Sequence, residues 1–493
     1  MSQLELPRLR SAQGRWIVLA TVLGSSIAML DSTVVNVALP AIGRSLDSDI
    51  AGLQWVLSGY TLTLASFILL GGALGDRLGR RKVFLWGTAA FALASLLCGF
   101  AVNIETLAIA RVLQGVAGAM LTPGSLALIS ASIDERDQGA AIGLWSGFGG
   151  IAGAVGPFLG GWLVEAVSWR AVFLINLPLA AVVLWVGSMH VPESLDPNAP
   201  KRLDLFGAVV VAAGLGSLTY ALIEPNALLA VVGIALLLLF VLIEMHSDHP
   251  LVPPSLFASR VFTAANIVTL AVYTALGGVF FLLLLQLQLV SGYSPITAGL
   301  ATIPITVLML GLSASAGRWA QRHGPRIPMT VGPLVAAAGV LLMLRIGPDA
   351  SYLLDVFPAV VVFGLGLSAL VAPLTGAVLG AVPTREAGIA SGVNNAIART
   401  AQLLAVAALP GLAGISAAGF DDATAFDDGF RTAMLICASL LIAGSVVAAV
   451  LLGGGKAPPR RRAEPEAIDC RPHCGISGPA VEPAVRVRSA GTS

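Results

Sequence analysis

Charge is what this chain of 493 residues has least of: Asp, Glu, Lys and Arg make up 11% of it, against about 25% in an ordinary soluble domain. That deficit excludes a water-soluble globular fold. The 28 basic and 27 acidic side chains cancel to a formal charge of +1, which in itself says nothing about a nucleic-acid partner, and none is expected. Catalytic signatures are missing too. There is no HExxH metal motif, and GGGK at 453–456 lacks both the upstream glycine and the following Ser or Thr of a phosphate loop. Without an ATPase domain in the chain, uphill work needs an ion gradient or a partner subunit. Cysteine is also scarce, at four residues. Cys98 and Cys437 fall in apolar runs, where a thiol behaves as a small hydrophobe. Cys470, His473 and Cys474 fall short of a closed zinc site, and HSDH at 246–249 is no better, so no metal or organic cofactor is expected.

What the chain has in abundance is apolar length: 56% of its residues are hydrophobic. Charge-free stretches long enough to cross a hydrocarbon core of about 30 Å as helices recur from end to end. After the opening run 16–43, whose one ionisable side chain is Asp31, they are 50–75, 83–104, 112–133, 138–164 and 171–192. They continue with 205–223, 225–243, a double-length run at 261–317, 327–344, 356–384, 400–420 and 432–455. The turn cluster SGYSP at 291–295 splits the double run, which brings the count to 14. The opening run passes into Asp31 without a small-residue cleavage pattern, so the first helix is expected to stay in the membrane.

Basic residues divide unevenly between the two sides. If both termini are cytoplasmic, inside segments hold 22 Lys or Arg and outside loops hold three, namely Arg44, Arg170 and Arg431. The positive-inside rule therefore favours an even number of spans in a cell inner (plasma) membrane, with DDATAFDD, 421–428, as an outside acidic loop. An internal repeat supports the same layout. GALGDRLGRRK at 72–82 aligns with GRWAQRHGPRI at 317–327, pairing Gly72 with Gly317, Arg77 with Arg322, Gly79 with Gly324 and Arg81 with Arg326. The division is a tail at 1–15, a six-helix bundle at 16–192, an extra helix pair with linkers at 193–248, a second six-helix bundle at 249–455, and a basic, disordered cytoplasmic tail at 456–493.

These motifs carry a resemblance. GxLxDRxGRR at 72–81 resembles the signature loop of the major facilitator superfamily, and LDSTVVNVALP at 30–40 resembles the first-helix motif of its 14-helix drug:proton antiporter branch. WVLSGYTLTLAS at 55–66, RVLQGVAGAMLTP at 111–123 and GIAGAVGPFLGGW at 150–162 are similar to that branch's second, fourth and fifth helices. The resemblance implies an all-α polytopic membrane protein of the major-facilitator fold, two six-helix bundles plus two extra helices. It implies a secondary active transporter rather than an enzyme: a monomeric, proton-coupled antiporter exporting hydrophobic or amphiphilic small molecules, as in multidrug or antibiotic efflux. A same-fold transporter of a defined metabolite, lipid or siderophore is the alternative.

Asp31 is the only ionisable side chain in 16–43. At the centre of a span an acid costs roughly 2.5–3.5 kcal/mol, which makes it a functional-site candidate. Arg111, at the opening of the fourth helix, either anchors at the interface or faces a partner such as Asp31, and the two together are the candidates for proton coupling. Gly72, Asp76, Arg77, Gly79, Arg80 and Arg81 form either a simple surface anchor or a gating loop in which Asp76 caps a neighbouring helix or pairs with an Arg. Gly149, Gly153, Gly156 and Gly160 fall on one helix face, with Pro157 among them. They allow ordinary close packing, and the resemblance implies a leak-resistant contact between the halves. Candidate cavity residues are the polar and aromatic interruptions Asn36, Trp55, Tyr60, Gln114, Tyr273, Gln286, Asn394 and Asn395, with Arg399 added by its resemblance to the branch's NxxRQ stretch.

Overall fold

The computed structural model describes residues 6–195, 204–247, 250–383, 386–415 and 422–452, and among them no strand occurs. The first bundle is α1 (Ala12–Leu46), α2 (Ile50–Leu78), α3 (Arg80–Gly99), α4 (Ile104–Ser132), α5 (Glu135–Ala166) and α6 (Ala171–His190). An intervening pair follows, α7 (Leu205–Ile223) and α8 (Ala227–His246). The second bundle is α9 (Arg260–Val290), α10 (Pro295–His323), α11 (Arg326–Arg345), α12 (Tyr352–Gly380), α13 (Ala387–Leu412) and α14 (Ala423–Leu451). Thirteen of the fourteen are long and apolar enough to span a membrane. The fourteenth, α13, is long enough but carries Asn394, Asn395, Arg399 and Gln402 at its middle.

Short polar side chains start the helices by taking up orphan backbone N–H groups. Ser11, Asp49, Asn226, Ser259 and Ser294 each accept from the N–H three residues on. These caps explain where the charge-free windows misplace helix ends. Asn103 and Thr106 form a reciprocal capping box, so α4 starts at Ile104 and Arg111 lies two turns inside it instead of opening it. Asp422 accepts from Thr424 and Ala425 N–H, so the acidic residues expected in an outside loop after it are already helical. The thirteenth helix begins at Ala387, not near 400, which puts Arg399 at its centre. The internal repeat is visible in the backbone: Gly79 and Gly324 end α2 and α10 with φ of 113° and 93°, a region closed to most side chains.

Helix α7 packs against both α2 and α13, one from each bundle, whereas α8 packs on α7 and is otherwise largely exposed. The two bundles meet mainly over the half of their length opposite the termini. There one core joins Val34 and Leu53 with Phe281 and Leu285. Gln54 donates to the carbonyls of Val406 (2.6 Å) and Ala407 (3.1 Å), and Gln288 donates to Val37 O (3.1 Å). Toward the termini a second core, built around Ile17, Phe84 and Ile129, belongs to the first bundle alone. Gly139, Gly143 and Gly147 of α5 face open space there. The molecule is closed at the far end and open at the end bearing the termini.

Candidate functional site

Asp31 and Arg111 meet, completely buried, at the centre of the first bundle. Arg111 Nη1 donates to Asp31 Oδ2 at 2.5 Å and to Gln114 Oε1 at 2.6 Å, while its Nε donates to Val56 O at 3.0 Å. The other carboxylate oxygen, Asp31 Oδ1, accepts from Gln114 Nε2 (2.9 Å) and Asn176 Nδ2 (3.0 Å). Ser95 Oγ accepts from the same two amides at 2.8 and 3.2 Å. The guanidinium lies 4.3 Å from the centre of the Tyr60 ring and 5.8 Å from that of Phe173. Five helices, α1, α2, α3, α4 and α6, contribute to this cluster. A carboxylate with both oxygens occupied and a cation with a matching set of acceptors can stay ionised in a dry interior only because their groups are satisfied in this way.

The other candidates separate into groups. Tyr60 carries the Arg111 guanidinium on its ring face and meets Phe91 edge-on, and Gln114 is committed to the ion pair, so Gln114 does not line a cavity. Trp55 turns outward, with its ring 5.9 Å from Tyr220 of α7. Gln286 lies at the closed end, donating to Ile346 O (2.9 Å) and to Asp427 Oδ1 (2.6 Å), whose other oxygen accepts from Arg431 (3.0 Å). Asn394 ties α13 to α9 through Asn266 (3.0 Å) and Thr269 (2.8 Å). These five are expected at a cavity because polar and aromatic residues interrupt an apolar run. Their partners are neighbouring helices, which is the other reason for a polar residue in a span. Asn36, Tyr273, Asn395 and Arg399 are half-buried. Arg399 bonds Gln402 at 3.3 Å.

Helix α5 corrects its motif. A Cβ on Gly156 or Gly160 would strike Thr33 or Val34 of α1, and one on Gly149 would meet Met29, so these glycines serve contact within their own bundle, and Gly153 has nothing within 4 Å. The contact with the second bundle is made one position along: Gly161 abuts Pro295 O and Ile296, the Pro157 carbonyl abuts Gly299, and Gly150 meets Leu310. In the gating loop, Asp76 accepts from Arg80 Nε at 2.7 Å within the loop rather than capping a neighbouring helix. Arg81 holds the end of α6, bonding Val191 O and, through its N–H, Glu193 Oε1, both at 3.0 Å. Gly72 lies against Pro123 and Arg77 is exposed. Gly79 leaves room for Glu193.

Asn176 and Ser95 escaped the sequence reading. Asn176 interrupts the apolar run before Leu177, which is a signal of the kind used for Asn36; a serine in a helix gives none. Among the described residues no group of three His, Cys, Asp or Glu is placed to hold a metal, and Cys470, His473 and Cys474 lie outside those residues.

Comparison with known proteins gives a consistent result. The profile described as Major Facilitator Superfamily matches residues 21–406. The puromycin resistance protein pur8 of Streptomyces alboniger is 36% identical over 80% of this chain and 81% of its own. The tetracenomycin C resistance and export protein of Streptomyces glaucescens is 33% identical over 80% and 74%. Among solved structures, a bacterial homologue of the human drug peptide transporters PepT1 and PepT2 superposes with a TM-score of 0.67 over 90% of this chain and 98% of that one, at 14% identity. An inward-facing, unoccupied bacterial homologue of the lysosomal transporter Spinster gives 0.64 over 90% and 97%, at 16% identity.

Proposed function

The chain belongs to the major facilitator superfamily, and from that premise we propose that it is a proton-coupled antiporter exporting hydrophobic or amphiphilic small molecules by alternating access. Relatives at 33–36% identity bear the names of resistance and export proteins for puromycin and tetracenomycin C, which supports export of small molecules. The observation that carries the coupling is the sealed Asp31–Arg111 pair with Gln114 and Asn176 closed around it.

Protonation of Asp31 removes the charge that Arg111, Gln114 and Asn176 converge on. Hydrogen bonds to a charged group contribute about 1.5–3 kcal/mol, enough to shift a two-state equilibrium roughly tenfold to a hundredfold. The route from Asp31 to the closed end is short. Thr33 and Val34 of α1 pack on Gly156 and Gly160 of α5, and Val37 O accepts from Gln288 of α9. A shift in α1 therefore acts on two of the seams that hold the bundles together, α5 against α10 and α1 against α9; α2 against α13 is a third. The charge asymmetry of the loops supports cytoplasmic termini in the plasma membrane. The open end of this conformation then faces the cytoplasm, from which substrate enters, and the protein works as a monomer.

Asp31→Asn tests this in vesicles energised only by a pH gradient. The variant inserts, binds substrate and allows equilibrative movement, but loses accumulation against a gradient. Uphill transport equal to wild type would remove Asp31 as the proton carrier. Proton release on adding candidate drugs to the purified protein, present in wild type and absent in the variant, is the second readout.

A further inference from the structure

Arg399 is a cation at the middle of a span, and the described residues supply no counterion to it. It stands 12 residues from Ala387 and 13 from Leu412 in α13, so at about 1.5 Å per residue each helix end is close to 20 Å away. That is far beyond the reach of an arginine, and snorkelling to either surface is excluded. Arg399 bonds Gln402, a neutral amide one turn on. Among the described residues the mid-span acid is Asp31, which is fully buried and holds Arg111. Asp427 is bound by Gln286 and Arg431 at the closed end. Glu105, Glu165, Glu244 and Asp355 fall in terminal turns of their helices. The spans therefore carry one neutralised pair and one unneutralised positive charge.

The placement of that charge suits a ligand. Helix α13 packs on α2 across the seam and on α9 within its own bundle. Arg399 is half-buried and bonded only to a neutral amide. A half-buried guanidinium without a carboxylate partner is a recognition pattern for an oxyanion.

We propose that Arg399 sets the charge class of the transported molecule: the seam takes amphiphiles bearing an acidic group, a carboxylate, sulfonate or ionised phenol, in preference to neutral or cationic ones. This rests on the export reading and specifies its substrate. The acid supplies the counterion that the fold withholds, and the apolar remainder lies among the surrounding aliphatic side chains.

The test uses purified full-length protein in lipid nanodiscs, dialysed against three probes with empty discs subtracted. They are anilinonaphthalene sulfonate, N-phenylnaphthylamine, which is the same aromatic amine without the sulfonate, and ethidium, a cation. Wild type binds the sulfonate roughly tenfold or more tightly than the amine. Arg399→Gln abolishes that preference and leaves affinity for the amine unchanged; Arg399→Lys, which keeps the charge without the planar fork, retains part of it. Equal binding of sulfonate and amine by wild type, tighter binding of ethidium, or an equal loss for both amines in Arg399→Gln overturns the proposal. Movement of the amine into inverted vesicles under a pH gradient separates the two readings. If it persists without sulfonate preference, export stands and the charge assignment falls. If wild type moves none of the three probes, export itself falls, and the substrate assignment with it.

Discussion

Arg111→Leu should destabilise the protein more than Arg111→Leu combined with Asp31→Leu. Arg111 and Asp31 are both fully buried, and the carboxylate accepts from Arg111, Gln114 and Asn176. Removing the guanidinium alone strands a buried carboxylate, a loss of about 3–5 kcal/mol. Removing both charges leaves Gln114 and Asn176 still bonded to Ser95 at 2.8 and 3.2 Å. The remaining cost is about 1–3 kcal/mol for amide groups that lost the carboxylate, offset in part by the aliphatic volume gained. The double variant should thus recover about 2 kcal/mol relative to the single one. The assay is thermal unfolding in detergent at constant pH, read by the loss of the monodisperse peak, for wild type, both singles and the double. The expected order is wild type, then the double variant, then Arg111→Leu. A double variant no more stable than Arg111→Leu would show that the two residues do not form one electrostatic unit, and the derivation of coupling from their geometry would fail.

Asp76→Asn should leave expression and substrate affinity near wild type and reduce turnover, because Asp76 touches Arg80 of the gating loop and nothing in the seam; transport at wild-type rate leaves only the anchoring role. Gly153→Ala should be silent, since nothing lies within 4 Å of its added Cβ, whereas Gly161→Ala brings a Cβ within 2.5 Å of Pro295 O and should open the far-end seam. Reaction of a cysteine placed at Ala298, which is fully buried at that end, with an impermeant maleimide reports the opening. Equal labelling in the two glycine variants would overturn the assignment of that contact. Gln54→Leu removes two hydrogen bonds across the seam, each contributing about 0.5–1.5 kcal/mol net, and should raise the same labelling; an unchanged rate counts against a closed end held by Gln54.

Much of the fold was legible because a bilayer makes helix formation compulsory: every backbone polar group in hydrocarbon must be satisfied within its own segment. Apolar length alone therefore gave the number of spans. Helix ends were less legible, since they are set by caps and not by hydropathy. The charge-free windows start just beyond Arg111 and just beyond Arg399, yet both arginines lie inside helices because Asn103 begins α4 upstream and the amide-rich start of α13 is itself helical. Charge marks the edge of a window only when the charged residue lies at the membrane surface. These two do not.

The site was legible where one residue stood alone and illegible where meaning comes from convergence. Asp31 is conspicuous because nothing near it in sequence could neutralise it, and the need for a cation elsewhere in the chain follows directly; Arg111, 80 residues on, meets it. The polar interruptions carry no such implication, because an amide in a span is equally well satisfied by the next helix. Gln114 turned to Asp31, Gln286 to Asp427 and Asn394 to Asn266, three different outcomes for similar local sequences. Glycine patterns have the same weakness. The i, i+4 stripe of Gly156 and Gly160 shows that a helix comes close, but α5 is flanked by α1 on one side and α10 on the other, and periodicity does not say which flank the stripe faces. The offset by one residue to Pro157 and Gly161 is a rotation of about 100°. That rotation separates a contact that holds a bundle together from one that has to break whenever the closed end opens.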